Sequence, residues 1–189
     1  MKSSKRVGII IGSFVVSMSI WIVGCGGMAK VPITNYKPMF TEDHSLFKGK
    51  SIYLMNFENQ AEDTKLWYYF STNREVSYGN KDLIHNYFWY AFRDALVGLG
   101  MEVTNVDNPD SKAPAMWLTL ISITDEQFQV KVTVQRSGKP DFEETYVVKE
   151  PPLPSDDRTP ANLEKRAYVM TNRLFETILD DPEFKKIFS

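Results

Sequence analysis

Hydrophobic and polar residues alternate most regularly in the second half of the chain. Phe128, Val130, Val132 and Val134 interleave with Gln129, Lys131, Thr133 and Gln135. A two-residue period over this length predicts a strand with one buried and one solvated face. Ser137-Gly138-Lys139-Pro140 is turn chemistry, and Phe142 to Lys149 reads as the returning arm of a hairpin. Ala115 to Thr124 predicts the strand before it, and Asp125-Glu126 the turn between them. Lys50 to Phe57 (KSIYLMNF) is apolar on both faces, as suits a central strand.

A 3.6-residue period replaces the two-residue one twice. Ile84, Phe88, Ala91, Phe92, Ala95 and Leu99 form one stripe, with Asn80 or Asp82 placed to cap it and Gly100 to end it. Met101 to Val106 then predicts another strand, so strand, helix and strand make a crossover with parallel strands. Asn108 to Pro114 reads as a loop. After Pro151, Pro152 and Pro154, Thr159-Pro160 opens a second helix with Leu163, Ala167, Met170, Leu174 and Ile178 on its buried stripe. Pro182 breaks it, and Glu183 to Phe188 adds a last turn. The order β-α-β-β-β-β-α predicts a single α+β domain: a mixed sheet of about five strands with two main helices packed on one face. Glu58 to Gly79 is left as a long connection, rich in aromatic residues, that could cover the other face.

The N-terminus follows a different pattern. Lys2, Lys5 and Arg6 precede an uncharged, mostly apolar run from Val7 to Trp21, and Ile22-Val23-Gly24-Cys25 follows. This is the layout of a lipoprotein signal: two branched apolar residues, a small residue, then the cysteine that receives the lipid. A plain secretory signal favours small residues on both sides of its cleavage site, and Ile22 fits that poorly. A retained transmembrane anchor is the other alternative. Residues 1–24 are therefore read as a signal peptide, Cys25 as the lipidation site, 25–48 as a lipidated tether and 49–189 as a periplasmic domain. One acyl chain such as palmitate holds only reversibly, but two or three anchor stably. Gly26 rather than Asp follows the cysteine, which by analogy with enteric lipoproteins points to the outer membrane, facing the periplasm.

Removing the signal changes the charge. The whole chain carries 22 Lys plus Arg against 24 Asp plus Glu, and the signal takes three cations and no anion. A mildly acidic domain lacks the basic footprint of a nucleic-acid binder. Cys25 is the only cysteine, so no disulfide forms within the domain.

Little in the sequence carries catalytic chemistry. HExxH, GxSxG, P-loop and GxGxxG motifs are all absent from it. His44 falls in the tether beside Glu42 and Asp43, and His85 sits one residue off a helix stripe. Neither has the setting of a metal ligand or general base, so no metal, cofactor or catalytic residue is expected. The carboxylates occur as neighbours in sequence, Glu62/Asp63, Glu143/Glu144, Asp156/Asp157 and Asp180/Asp181. Glycosidase chemistry needs two carboxylates facing each other across a substrate, and adjacency does not supply that. The aromatic residues are the more informative set. Tyr87, Phe88 and Trp89 span about 200 degrees of helix surface, so they cannot share one buried stripe. Two readings stand: the 58–79 segment folds over the helix and buries these rings, or Trp67, Tyr68, Tyr69, Tyr87, Trp89 and Tyr90 form a surface for a partner or ligand.

The lipobox Ile22 to Cys25, the strand Ser51 to Phe57, the helix end Leu96-Val97-Gly98-Leu99-Gly100 running into Met101 to Val106, and the strand pair after it resemble small periplasmic assembly lipoproteins. That broad group includes YajG-type lipoproteins, LpoB-type activators of cell-wall synthases and the auxiliary lipoproteins of envelope transporters. The resemblance is one of element order and transfers no site residue. It implies a non-catalytic protein that binds an envelope protein partner in assembly or transport. The alternative is a lipid- or glycan-binding module built on the aromatic 66–92 region, and a carboxylate-pair hydrolase is a distant third.

Overall fold

The computed structural model describes residues 28–40, 43–104, 113–136 and 142–189. The expected signal peptide, Cys25, most of the 108–114 loop and the 137–140 turn lie outside the described residues. The strands are β1 (Ala29–Pro32), β2 (Ser51–Leu54), β3 (Glu58–Asn59), β4 (Thr64–Lys65), β5 (Tyr68–Phe70) and β6 (Val76–Gly79). Helix α1 (Ile84–Gly98) is followed by β7 (Glu102–Thr104), β8 (Ala115–Ile123), β9 (Gln127–Gln135) and β10 (Phe142–Lys149). Helices α2 (Pro160–Asp180) and α3 (Pro182–Lys185) end the chain.

The main sheet has the order β10-β9-β8-β2-β7, with β3 added along β8. These five principal strands are the five expected from the hydrophobic pattern. The crossover is also as expected: β2 runs parallel to β7, with Ile52 beside Val103, and α1 connects them. Strand β2 stops at Leu54, but the chain stays on β8. The Met55 amide donates to the Met116 carbonyl at 2.9 Å, and β3 resumes pairing at Glu58 opposite Thr119.

Two segments differ from the sequence reading. Beyond β3, the 58–79 connection forms a small sheet of its own, ordered β1-β6-β5-β4. Its outer strand β1 comes from the stretch read as tether, and pairs in parallel with β6 from Ala29–Val76 to Pro32–Gly79. The chain after it is packed too. Val31, Ile33, His44 and Phe47 are buried, and Phe47 meets Phe184 and Phe188 at ring-centroid distances of 6.2 and 5.4 Å. The apolar residues here are too widely spaced for a periodicity signal, yet each fills a site on the domain.

The helix ends divide similarly. Gly100, with φ of 81°, closes α1 as expected; its amide donates to Val97 and the Met101 amide to Leu96. At the other end neither Asn80 nor Asp82 caps the helix, which begins after Leu83 without a side-chain cap. Asn80 is used elsewhere. Its side-chain amide donates to the Ile33 carbonyl at 2.9 Å, and its side-chain oxygen accepts from the Asp82 amide at 3.1 Å. It ties the exit of β1 to the entry of α1. Thr159 caps α2 as read, accepting from the Asn162 amide.

One face of the main sheet is closed. Met116, Leu118, Leu120, Phe128, Val130, Val132 and Val134 are all fully buried. The Phe128 ring meets Phe88 of α1 at 5.4 Å and Tyr69 of β5 at 5.7 Å, and Phe92 of α1 meets Phe175 of α2 at 4.8 Å. Both long helices and the small sheet thus cover the same face. The opposite face, with Trp117, Lys131 and Thr133 half-buried and Val147 exposed, is open. The aromatic segment does not cover it.

Candidate functional site

The six candidate aromatics do not form one surface. Tyr69 is buried and stacks on Tyr78 at 4.8 Å, with the rings nearly parallel. Tyr87 is buried as well, edge-on to Phe88 at 5.1 Å. These two belong to the core: Tyr69 meets Phe128 at 5.7 Å, and Tyr87 is covered by Tyr36 and hydrogen-bonds the Thr171 hydroxyl of α2 at 3.3 Å. Tyr68 and Trp89 are half-buried, and the Trp89 indole N–H donates to the Met55 carbonyl at 2.9 Å. Trp67 and Tyr90 are exposed, at 52% and 44%. Leu66, which the sequence reading passed over, is exposed at 61%. It lies beside Trp67 in the β4–β5 turn, where a polar residue would be the ordinary choice.

The outer side of α1 carries a second exposed group. The Arg93 guanidinium lies over the Tyr90 ring at 5.2 Å and the Trp89 ring at 5.6 Å, and pairs with Asp94 at 2.6 Å. Between this helix and the chain leaving β1 runs an open cleft of about 390 Å³. Thr34 and Tyr36 form one wall, Tyr87, Tyr90 and Arg93 the other, and Lys81 and Asp82 one end. Tyr36 is fixed from behind. Its hydroxyl donates to the Asn172 side-chain oxygen at 2.6 Å, and its ring meets Tyr87, Tyr168 and Phe175 at 5.9 to 6.3 Å. A rigid aromatic wall with a charged rim can bind by stacking and hydrogen bonding.

The titratable groups are used structurally. His44 is buried against Phe40, with neither ring nitrogen hydrogen-bonded among the described residues, and its Nδ1 is 3.8 Å from Asp180 Oδ1. Burial lowers the His85 pKa, away from the range of a charged side chain at neutral pH. Of the carboxylate pairs, Asp181 accepts from the Tyr146 hydroxyl at 2.8 Å and caps α3, and Asp63 accepts from the Ser122 hydroxyl at 2.8 Å. Among the described residues no group of three or more His, Cys, Asp or Glu side chains could hold a metal ion.

Asp125 is the residue that sequence reasoning undervalued. Read as part of a simple turn, it is 8% exposed. Its carboxylate accepts from the Thr72 amide at 2.9 Å and the Tyr78 hydroxyl at 3.4 Å, and Arg158 stands at 4.0 Å. Arg166 of α2 donates to the Asp125 carbonyl at 2.7 Å and reaches the Glu150 and Pro151 carbonyls. The small sheet, the β8–β9 turn and α2 meet at this residue. Its partners come from distant parts of the chain, so no local spacing announced them.

The fold has a solved counterpart. Protein XCC0632 from Xanthomonas campestris, of family DUF330, superposes with a TM-score of 0.56 over 77% of this chain and 91% of its own. The two sequences are 8% identical, so what they share is the fold. No protein-family model matches the sequence, and no curated protein matches it. The α+β architecture is thus supported by an independent structure, and no residue role comes with it.

The tyrosines of this region make alkaline pH a probe of the packing. Burial raises the hydroxyl pKa of Tyr36, Tyr69, Tyr78 and Tyr87 above the ordinary value, and raises that of Tyr168 to about 12. A raised folded-state pKa means the contribution to stability is complete below the unfolded value of about 10 and is lost as pH climbs through the folded value. Urea midpoints are expected to hold steady up to roughly pH 10 and to fall above it. Tyrosinate absorbance of the buried group should appear together with loss of the near-ultraviolet circular dichroism signal. Ionisation of all the tyrosines with the fold intact would show that these rings are not packed as described.

Proposed function

We propose that this chain is a membrane-anchored, non-catalytic lipoprotein of the bacterial envelope, attached through Cys25, on the periplasmic face of the outer membrane, and that it binds a protein partner in envelope assembly or transport. The reading is supported by the lipobox and by the exposed apolar surface around α1. The observation that carries it is Trp67, exposed at 52% next to Leu66 at 61% in a domain whose other large rings are mostly packed. Leaving a large apolar side chain in water forgoes about 1.5–3 kcal/mol of burial. Trp, Tyr and Arg are the residues on which binding energy concentrates; Tyr90 and Arg93 are on α1, and Trp67 is in the β4–β5 turn, where the neighbouring Leu66 carbonyl accepts from the Ile84 amide at the start of that helix.

The test is in-cell crosslinking from a photoreactive residue at position 90, with and without Trp67→Ala. A defined envelope protein should be captured, and truncating Trp67 should reduce its recovery by about tenfold, the effect of a single interface anchor. The same substitution should leave the urea midpoint nearly unchanged, since surface changes rarely exceed about 0.5 kcal/mol. Equal capture by both chains would remove this surface from the proposal.

A second reading rests on the cleft itself. Its volume of about 390 Å³, tyrosine walls and charged rim suit a glycan fragment better than an acyl chain. Native mass spectrometry with muropeptides would show a mass shift that Tyr90→Ala abolishes. Unshifted spectra at millimolar muropeptide would end this reading.

A further inference from the structure

The distance between the anchor and the fold is short enough to fix how the domain meets the bilayer. If Cys25 carries the lipid, only three residues separate it from Ala29, the first residue of β1. Four peptide steps span at most about 14 Å between Cα atoms when fully extended. Ala29 is not free to extend that reach. Its amide donates to the Glu75 carbonyl at 3.0 Å, and it sits in register with Val76 at the start of β6. The turn that joins β5 to β6 therefore lies beside the first residue of β1. That turn is tightly closed: the Ser71 amide donates to the Val76 carbonyl at 2.9 Å, and the Arg74 amide to the Ser71 carbonyl at 2.8 Å.

We infer that the β5–β6 turn, Thr72 to Glu75, is held against the lipid headgroups, and that the domain stands on this end. The inference rests on the proposed acylation of Cys25. Several features fit a surface facing headgroups. Thr72, Asn73, Arg74 and Glu75 are all exposed, as are Met28 and Lys30 at the start of the described chain. Arg74 occupies a left-handed conformation, φ 58°, where Gly or Asn is the usual choice, and its guanidinium lies 5.5 Å from the Phe70 ring centroid. Lys30 and Arg74 can meet phosphates, but Glu75 stands beside them and Glu126 follows the turn residue Asp125, so the end as a whole is not basic. Charge does not do the holding. The covalent lipid and the short reach do, so proximity should not depend on anionic lipid.

Orientation follows from the direction of β1. The strand leads away from the anchor, and its far end, Pro32 beside Gly79, opens into Thr34 and Asn80 at the cleft. The cleft is thus at the end of β1 turned from the bilayer. The β8–β9 turn is near the membrane, because Thr72 binds Asp125, while Gln135 lies eight residues further along β9, about 27 Å away at strand rise.

The experiment uses the full chain, acylated in cells, purified and reconstituted into phosphatidylcholine vesicles with a headgroup-linked quencher. A fluorophore is placed at Glu75→Cys in one sample and at Gln135→Cys in another. Intact mass spectrometry first reads the acyl chains on Cys25. The position-75 probe should lose most of its emission and the position-135 probe little, with or without phosphatidylglycerol. Inserting a 20-residue Gly/Ser linker between Gly27 and Met28, with a root-mean-square span of about 25 Å, should restore the position-75 emission. An unmodified Cys25 would overturn the lipoprotein reading and this inference with it. An acylated chain in which both probes are quenched alike, or neither is, would overturn the inference and leave the lipoprotein reading standing. Quenching at position 75 that survives the linker would show that the turn binds lipid by itself, and that reach is not what holds it.

Discussion

Replacing Phe128 with Ala is expected to lower stability by about 3–5 kcal/mol, a large share of the 5–15 kcal/mol typical of a domain. The residue is fully buried on the closed face of the main sheet. Its ring meets Tyr69 from the small sheet and Phe88 from α1, both edge-on. Three elements therefore lose a shared contact at once, and a rigid sheet beneath them cannot collapse to fill the space. Phe128→Leu should recover much of the loss, because it restores volume without the edge-to-face geometry. Equilibrium urea denaturation checks both. A loss under 1 kcal/mol for the Ala variant would mean that the small sheet is not packed on β9.

The second large effect is expected at Asp125. Asp125→Ala leaves the Thr72 amide and the Tyr78 hydroxyl without their acceptor and Arg158 without its nearby anion. Removing one member of a buried charged network costs about 3 kcal/mol or more, since the partners stay desolvated. Asp125→Asn keeps an acceptor for Thr72 and should cost less. Hydrogen exchange should distinguish this change from a general loss: protection is expected to fall first in β5 and β6, which Asp125 ties to the β8–β9 turn. Unchanged protection there, with a normal urea midpoint, would make the network incidental.

The parts of the fold legible in the sequence were those with local repetition. The alternation from Phe128 to Val134 and the stripe from Ile84 to Leu99 repeat at fixed intervals, and each became the element its period implied. Gly100 and Thr159 ended and began helices by chemistry that acts within a turn. The small sheet was not legible, because its strands are two to four residues long and pair across the chain, with β1 meeting β6. Periodicity has nothing to measure over such lengths. The candidate site divides the same way. A dense aromatic run was visible, but which rings face inward depends on partners distant in sequence, Phe128 for Tyr69 and Tyr36 and Thr171 for Tyr87. Tyr69 and Tyr87 went to the core for that reason, while Trp67 and Tyr90 stayed outside.

The two ends of the described chain are clasped together. Tyr36 donates to Asn172 across 136 residues of sequence, and Phe47 packs between Phe184 and Phe188. Contacts so distant in sequence cannot form until the last helix exists. β1 has its partner in β6, but the segment after it, from Tyr36 to Phe47, must wait for these contacts until everything between has been synthesised. Closure of the core is thereby postponed to the completion of the chain, and a chain ending before α2 would leave Tyr36 and Phe47 without the surfaces they pack on.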